Sequence, residues 1–318
     1  VPITLAQAQQ LAQDKLSQQV INEFRKDALL DLMVFDDCVS TGGGSTLAYV
    51  YNRVTTMATA TRRAINAEYT PQEAATTQIT TNLKVFGGAF ELDRVVQNEM
   101  SGVTNQLAFQ LAQKIEATRA LFSDDFINGD SAVNALAFDG INKAVTGSST
   151  ETVPGAAIDL SNSAAITANA NALMDLLDQM LAAMNGTPDA LLMNRRLKAV
   201  MNGIARRSGF FSTNDVDAFG RPVTKYAGIP LIELGDKPGT ANPIIETAAV
   251  TGETSIYAVR IGLDATHAVT PRGSKIVSQY LPDFKSPGAV KRGEVEMVAA
   301  MAVKATRGIA ALRRVKVS

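Results

Sequence analysis

The spacing of apolar residues changes period several times along the chain, and each change predicts an element. Over residues 4–37, Leu11, Ile21, Phe24, Leu29, Leu32 and Met33 recur at loosely helical spacing with no Gly or Pro between them, which predicts a helical arm. The run STGGGST at 40–46 releases the chain from it. Residues 47–56 are rich in β-branched and aromatic side chains. Over 78–86, Ile79, Thr81, Leu83 and Val85 alternate with polar residues, so two strands are expected around a small, polar tip at 57–75. At ~3.3 Å per residue such a hairpin projects on the order of 50 Å. A two-stranded ribbon cannot bury either face alone, and no other segment is an obvious platform for it.

Gly87-Gly88 interrupts this pattern within KVFGGAFELDRVV. The spacing fits neither G-x-x-x-x-G-K-[ST] nor G-x-G-x-x-G, so a bulge or bend is expected in place of a phosphate loop. Beyond it a helix is predicted over 103–128, with Leu107, Leu111, Ile115, Thr118, Phe122 and Phe126 on one stripe and Gly129 as the stop. After a Gly/Ser/Thr-rich connection at 146–155 the pattern becomes α/β. The elements expected are a helix over 164–185, a short buried strand over 189–193, a helix capped by Asn194, and strands in GRPVTKYAGIPLIEL and SIYAVRIG. The segment EVEMVAAMAVKATRGIAALRRVKV predicts two strands joined as one hairpin through Arg307-Gly308. Arg195, Arg196, Lys198, Arg206 and Arg207 cluster on the helix after Asn194; with no aromatic residue before Phe210, they read as a solvated or subunit-facing surface.

Composition removes several chemistries. A formal net charge of −1 gives no global field toward DNA or an acidic membrane. Cys38 is the single cysteine and His267 the single histidine, which excludes an internal disulfide and a Cys/His zinc site. A histidine-based nucleophilic mechanism would have to run through His267, and no nucleophile elbow stands near it. Asp36-Asp37 and Asp124-Asp125 are adjacent pairs whose side chains on a helix diverge by about 100°, so neither presents converging carboxylates. No apolar run reaches the ~18–20 residues of a membrane span, and a soluble chain of a reducing compartment is expected.

The order of these parts resembles the major capsid proteins of tailed bacteriophages, the Hong Kong 97 fold family. The nearest local likeness is at 86–141, where FGGAFELDRVV is similar to the return of the family's extended loop and the following helix to its spine helix; GRPVTKYAGIPLIEL resembles the start of its central-lobe strands. The resemblance implies an α+β fold with an N-terminal arm (1–45) and an extended hairpin loop (46–88). A peripheral domain containing the spine helix (89–150), an axial domain (151–255) and peripheral return strands (256–318) would follow. It implies a structural subunit, not an enzyme, that self-assembles into an icosahedral shell around double-stranded DNA. An encapsulin-type nanocompartment shell and an α/β enzyme with an unrecognised site are the alternatives.

The same resemblance implies which residues meet neighbours. Gly87 and Gly88 would be the hinge of the extended loop. Arg53, Arg62, Arg63, Glu68 and Glu73 on the loop, and Asp93 and Arg94 after it, would be subunit contacts. The acidic arm with Asp27 and Asp31 would face the basic C-terminal segment with Lys291, Arg292, Arg313 and Arg314. Implied partners are further copies as hexamers and pentamers, a scaffolding protein, a portal, a decoration protein and packaged DNA, with no cofactor and no membrane; assembly would occur in the host bacterial cytoplasm and place the chain in the virion capsid. Some family members weld subunits by lysine–asparagine bonds from the loop. Here the tip carries no lysine, and Lys84 lies near the hairpin base, so no such bond is expected.

Overall fold

The computed structural model describes residues 29–38, 46–100, 106–207, 224–271 and 277–318, without the side chains of Asp31 and Met100. A short helix α1 (Leu29–Leu32) leads into strand β1 (Phe35–Cys38). The ribbon follows as β2 (Ala48–Thr56) and β3 (Ala75–Asn82), then β4 (Lys84–Asp93), a helix α2 (Arg94–Met100) and the long helix α3 (Gln106–Asn128).

The first sheet is organised around β13 (Val290–Val303). Its first half alternates exposed and buried positions. Its second half, MVAAMAV, contains no polar residue and is buried on nearly every position, as a strand covered on both faces must be. One edge of β13 pairs antiparallel with β4, from Lys84↔Ala299 to Asp93↔Val290. The other edge takes β12 (Ser278–Tyr280) and β11 (Thr266–Pro271), beyond which β1 adds in parallel. Helix α3 lies over β4 and β13. Its C-terminal half buries Phe122, Phe126 and Ile127, and Phe86 meets both Phe122 and Phe138 edge to face at 5.9 and 5.8 Å.

A loop and short helix α4 (Ile141–Val145) pass the chain to the second sheet, where β5 (Glu151–Thr152) and β6 (Ile158–Asp159) precede helix α5 (Ser163–Ala183). Asn162 caps α5 by accepting from the Ala165 amide at 2.9 Å. Strand β7 (Ala190–Met193) is buried throughout, and Asn194 caps helix α6 (Arg195–Arg207) by accepting from the Leu197 amide at 2.8 Å. The hairpin β8–β9 (Lys225–Tyr226, Ile229–Glu233) turns through Ala227 and Gly228, both at positive φ. With β10 (Glu253–Val259) and β14 (Ile309–Lys316) the strand order is β5-β14-β10-β7-β9-β8, and β6 also pairs with β14. Alternation divides this sheet's side chains between two layers. Leu191 and Met193 pack under α5 and α6, while Ala190 and Leu192 face the other way and join the aromatic cluster beneath α3.

Several sequence expectations need correction. The helix of 4–37 lies outside the described residues up to 28; its described end stops at Leu32, because residues 35–38 use their backbone groups in the β1–β11 ladder. The arm expected over 78–86 is two strands: β3 ends at Asn82, Leu83 is buried, and β4 begins at Lys84 in a different sheet. Gly87 and Gly88 are therefore neither hinge nor bulge. They sit inside an uninterrupted register opposite Glu296 and Val295, and the chain changes sheet four residues earlier. A Cβ on Gly87 would lie 2.2 Å from the Val295 carbonyl oxygen, so glycine here permits close approach of β13. Arg307-Gly308 is likewise not a hairpin turn. A 3₁₀ turn at Thr306–Gly308 carries the chain from the first sheet, where β13 lies, to the second, where β14 lies. Since β10 and β14 both belong to the second sheet, a boundary at 255/256 does not follow the sheets.

Candidate assembly surface

The ribbon divides into an anchored base and an exposed distal half. On β2, Tyr49, Tyr51 and Arg53 share one face, and the strand pattern alternates half-buried and exposed positions down to Val54. Those three side chains reach the end of the first sheet. The Tyr51 hydroxyl donates to the Val303 carbonyl at 2.8 Å, and Arg53 Nε donates to the Lys304 carbonyl at 3.0 Å, with a second Arg53 N–H on the Val303 carbonyl. Arg53 thereby satisfies carbonyls left where the β11–β13 ladder ends. The Tyr49 hydroxyl donates to Asp36 Oδ2 at 2.7 Å, and its ring stands edge-on to His267 at 5.5 Å, with Lys304 Nζ 5.2 Å from its centroid. Burial first, and then the Asp36 hydrogen bond, push the Tyr49 phenol up. The expectation that the ribbon lacks a platform in its own chain thus fails for the base.

Beyond Thr56↔Ala75 the ladder ends. Met57 (81% exposed), Ile65 (91%) and Tyr69 (60%) present largely exposed apolar surface among the described residues. The distal half is nonetheless organised: Asn66 has φ 67°, the Ala67 amide donates to the Ala64 carbonyl at 3.2 Å, and Arg63 donates to the carbonyls of Ala64 and Ala67 while lying 5.3 Å from the Tyr69 ring centre. A formed turn carrying uncovered apolar side chains is suited to docking on another molecule.

The sequence-predicted contact residues distribute unevenly. Arg62, Glu68 and Glu73 are exposed on the distal half, and Arg94 is exposed at the start of α2. Arg292 is exposed beside β4, paired with Glu294 at 2.8 Å. Six others bond within their own subunit and are corrections, Arg63 while remaining exposed. Arg53 ties the ribbon base to the Val303 and Lys304 carbonyls, and Arg63 braces the distal turn. Asp93 caps α2, accepting from the Val95 amide at 2.7 Å. Lys291 is buried and gives its ammonium to the Ser286 carbonyl, the Ser286 hydroxyl and the Pro287 carbonyl, each at 2.7 Å. Arg313 pairs with Glu151 at 2.9 Å and donates to the Tyr257 hydroxyl at 2.8 Å. Arg314, at φ 58°, holds the carbonyls of Pro154 and Gly155, so the expected charge match between arm and C-terminal segment loses most of its basic side. Asp27 and the Asp31 side chain lie outside the described residues.

A second surface feature is a polar cleft of about 590 Å³ at the C-terminal end of α3, lined by Asp124, Asp125, Asn128, Asp130, Asn142 and Lys143 among others. Lys143 bridges Asp130 and Asp139 at 2.6 and 2.8 Å, and Lys84 donates to the Ala135 carbonyl at 2.6 Å, which fixes the loop against the ribbon base. Burial and the neighbouring Asp124 raise Asp125 to about 6. Among the described residues no group of three or more His, Cys, Asp or Glu could hold a metal ion, and no helix is long and apolar enough to cross a membrane.

The whole architecture recurs in solved shells. A chain of the holo-SrpI encapsulin complex from Synechococcus elongatus PCC 7942 is similar over 100% of this chain and 98% of its own, at TM-score 0.68 and 16% identity. The fold is the Hong Kong 97 fold. Capsids of the native GTA particle (TM-score 0.64, 14% identity, 96% of both chains) and of Myoviridae phage XM1 (0.59, 12%, 98% of both) share it. No family model and no curated protein sequence matches. At these identities the Hong Kong 97 fold is held in common while its side chains are not. The ribbon-base network of Tyr49, Tyr51, Asp36 and His267 was missed from sequence; Tyr, Tyr and Arg at alternate positions of AYVYNRV were the available signal.

Proposed function

We propose that this chain is a structural subunit that assembles, through its ribbon and lobes, into a closed icosahedral shell of hexamers and pentamers, and that the shell encloses phage double-stranded DNA. The observation that carries this is the distal ribbon: a formed turn with Met57, Ile65 and Tyr69 exposed, on a chain that matches shell subunits from end to end. Its surface role is mechanical, and no catalysis is assigned to it. Scaffolding, portal and decoration proteins are the further partners, the host bacterial cytoplasm the place of assembly and the virion capsid the destination. The five expected regions, from arm to return strands, keep their roles as units of assembly, with β10 and β14 shared into the second sheet.

Assembly of mixed chains tests the ribbon's role. Unlabelled and ¹⁵N-labelled subunits are combined, and a photo-cross-linker is attached at Ile65→Cys. Cross-links joining light to heavy peptides are expected; exclusively light–light and heavy–heavy pairs would assign the ribbon to its own subunit. The likeness to the encapsulin complex supports a second reading, a protein-enclosing compartment. Nuclease-protected DNA inside purified particles supports the capsid, whereas a co-purifying enclosed protein without DNA supports the compartment.

A further inference from the structure

Helix α6 concentrates positive charge in a chain whose formal net charge is −1. Its sequence, RRLKAVMNGIARR, carries five cations and no acid. Leu197, Met201 and Ile204 face the core, which leaves Arg195, Arg196, Arg206 and Arg207 exposed and Lys198 half-buried. Arg207 is tied back, but to neutral groups: the Ser163 carbonyl at 2.9 Å, the Ser163 hydroxyl at 3.0 Å and the Thr167 hydroxyl at 3.2 Å. Asp178 is engaged by Tyr226, Asp189 by the Ile261 amide and Glu246 by Lys237. The helix charge therefore stands uncompensated by these described groups.

We infer that the exposed face of α6 is a sequence-independent contact for the phosphate backbone of double-stranded DNA. From Arg195 to Arg206 the helix rises about 16 Å, and one DNA strand places a phosphate about every 3.4 Å of axis, so the row spans several phosphates. Four of the five cations are arginines, whose planar forks suit phosphate oxygens. α6 carries no aromatic side chain on which unpaired bases would stack, which favours duplex over single strand. The assignment of DNA as the partner rests on the capsid reading above; the charge pattern itself does not.

The test uses the full-length chain below its assembly concentration, a mixed-sequence duplex of about 30 base pairs, and anisotropy titrations from about 50 to 200 mM salt. Three to four neutralised phosphates give a log–log salt slope of about −3. Arg195→Gln/Arg196→Gln/Arg206→Gln is expected to weaken binding at least about 10-fold at the low-salt end and to flatten the slope by about 2 to 3, with particle yield unchanged. Equal binding by variant and wild type overturns the inference. So does a variant that binds DNA normally but loses particle yield, which would give α6 to a neighbouring copy. If neither protein forms particles yet the difference in DNA binding persists, the shell reading fails and this contact stands.

Discussion

The Tyr49 hydroxyl donates to Asp36 Oδ2 at 2.7 Å, joining the ribbon base to the strand at the edge of the first sheet. Tyr49→Phe removes this charge-assisted bond and keeps the ring on His267. For a half-exposed group the loss is about 1 kcal/mol. Hydrogen exchange in β2 and β3 is expected to speed up about fivefold with little change elsewhere, since local opening is the process affected. Unchanged exchange in the ribbon would mean that the base is held without this bond.

His267 makes the same joint sensitive to pH. It is fully buried, neither ring nitrogen has a hydrogen-bond partner among the described residues, and Asp36 Oδ2 lies 3.8 Å from Nε2. Burial first, then the Lys304 charge, lower its pKa, while the Asp36 charge opposes them. The folded state therefore favours the neutral ring. That contribution is complete above the unfolded value near 6.5 and is lost as pH falls toward the folded value. His267→Phe should flatten the fall in melting temperature between about pH 7 and 5. A wild-type and variant difference that is constant over this range would contradict the assignment.

Asp125 works in the opposite sense. Its pKa is raised from 3.8 to about 6 by burial and by Asp124, so the folded state prefers the protonated acid and is penalised as pH rises through that window. Asp125→Asn is expected to stabilise the chain by about 1 kcal/mol at pH 7.5, discounted for partial exposure, and by nothing at pH 3. Chemical denaturation at the two pH values reads this directly; a destabilised variant at pH 7.5 would show the carboxylate to be a required acceptor.

The two adjacent glycines should respond differently to one methyl group. Gly87→Ala drives its Cβ into the Val295 backbone oxygen at 2.2 Å and should cost about 2–3 kcal/mol, as overpacking does. Gly88→Ala meets only the flexible Lys114 side chain, at 3.4 Å, and should be nearly neutral. Equal effects in thermal melts would mean that the β4–β13 pairing is not the reason for glycine at 87.

The sequence revealed elements better than their partners. The 3.6-residue stripe ending in Phe122 and Phe126, the buried run at Ala190–Met193 and the Asn194 cap were legible because periodicity and capping are local. The split at Leu83 was not, since 78–86 keeps one alternation across two sheets. The inward roles of Arg53, Lys291 and Arg313 were hidden for a related reason: a cation's partner is set by tertiary placement. Their acceptors are the carbonyls at 303 and 304 and at 286 and 287, and Glu151, most of them far along the chain. The distal ribbon was legible in outline because its polar and small tip lacks any pattern for self-burial.

Covalent welding is not expected. Lys84, at the start of β4 beside the ribbon base, is held by the Ala135 carbonyl, and the distal Arg62 and Arg63 carry guanidinium groups, which are poor nucleophiles. Boiled particles on a denaturing gel should give one band near 33.7 kDa; a ladder of multiples would refute this.

The central claim is that the chain closes into a shell, and the molar mass of the purified full-length protein tests it most directly. Light scattering coupled to size separation is expected to give particles on the order of a megadalton or more, built from 33.7 kDa subunits with closed symmetry and seen as uniform spheres in negative stain. Replacing residues 58–73 by a two-residue turn should leave a folded subunit that no longer reaches that mass. A full-length protein that remains a monomer or small oligomer under all assembly conditions would contradict the account.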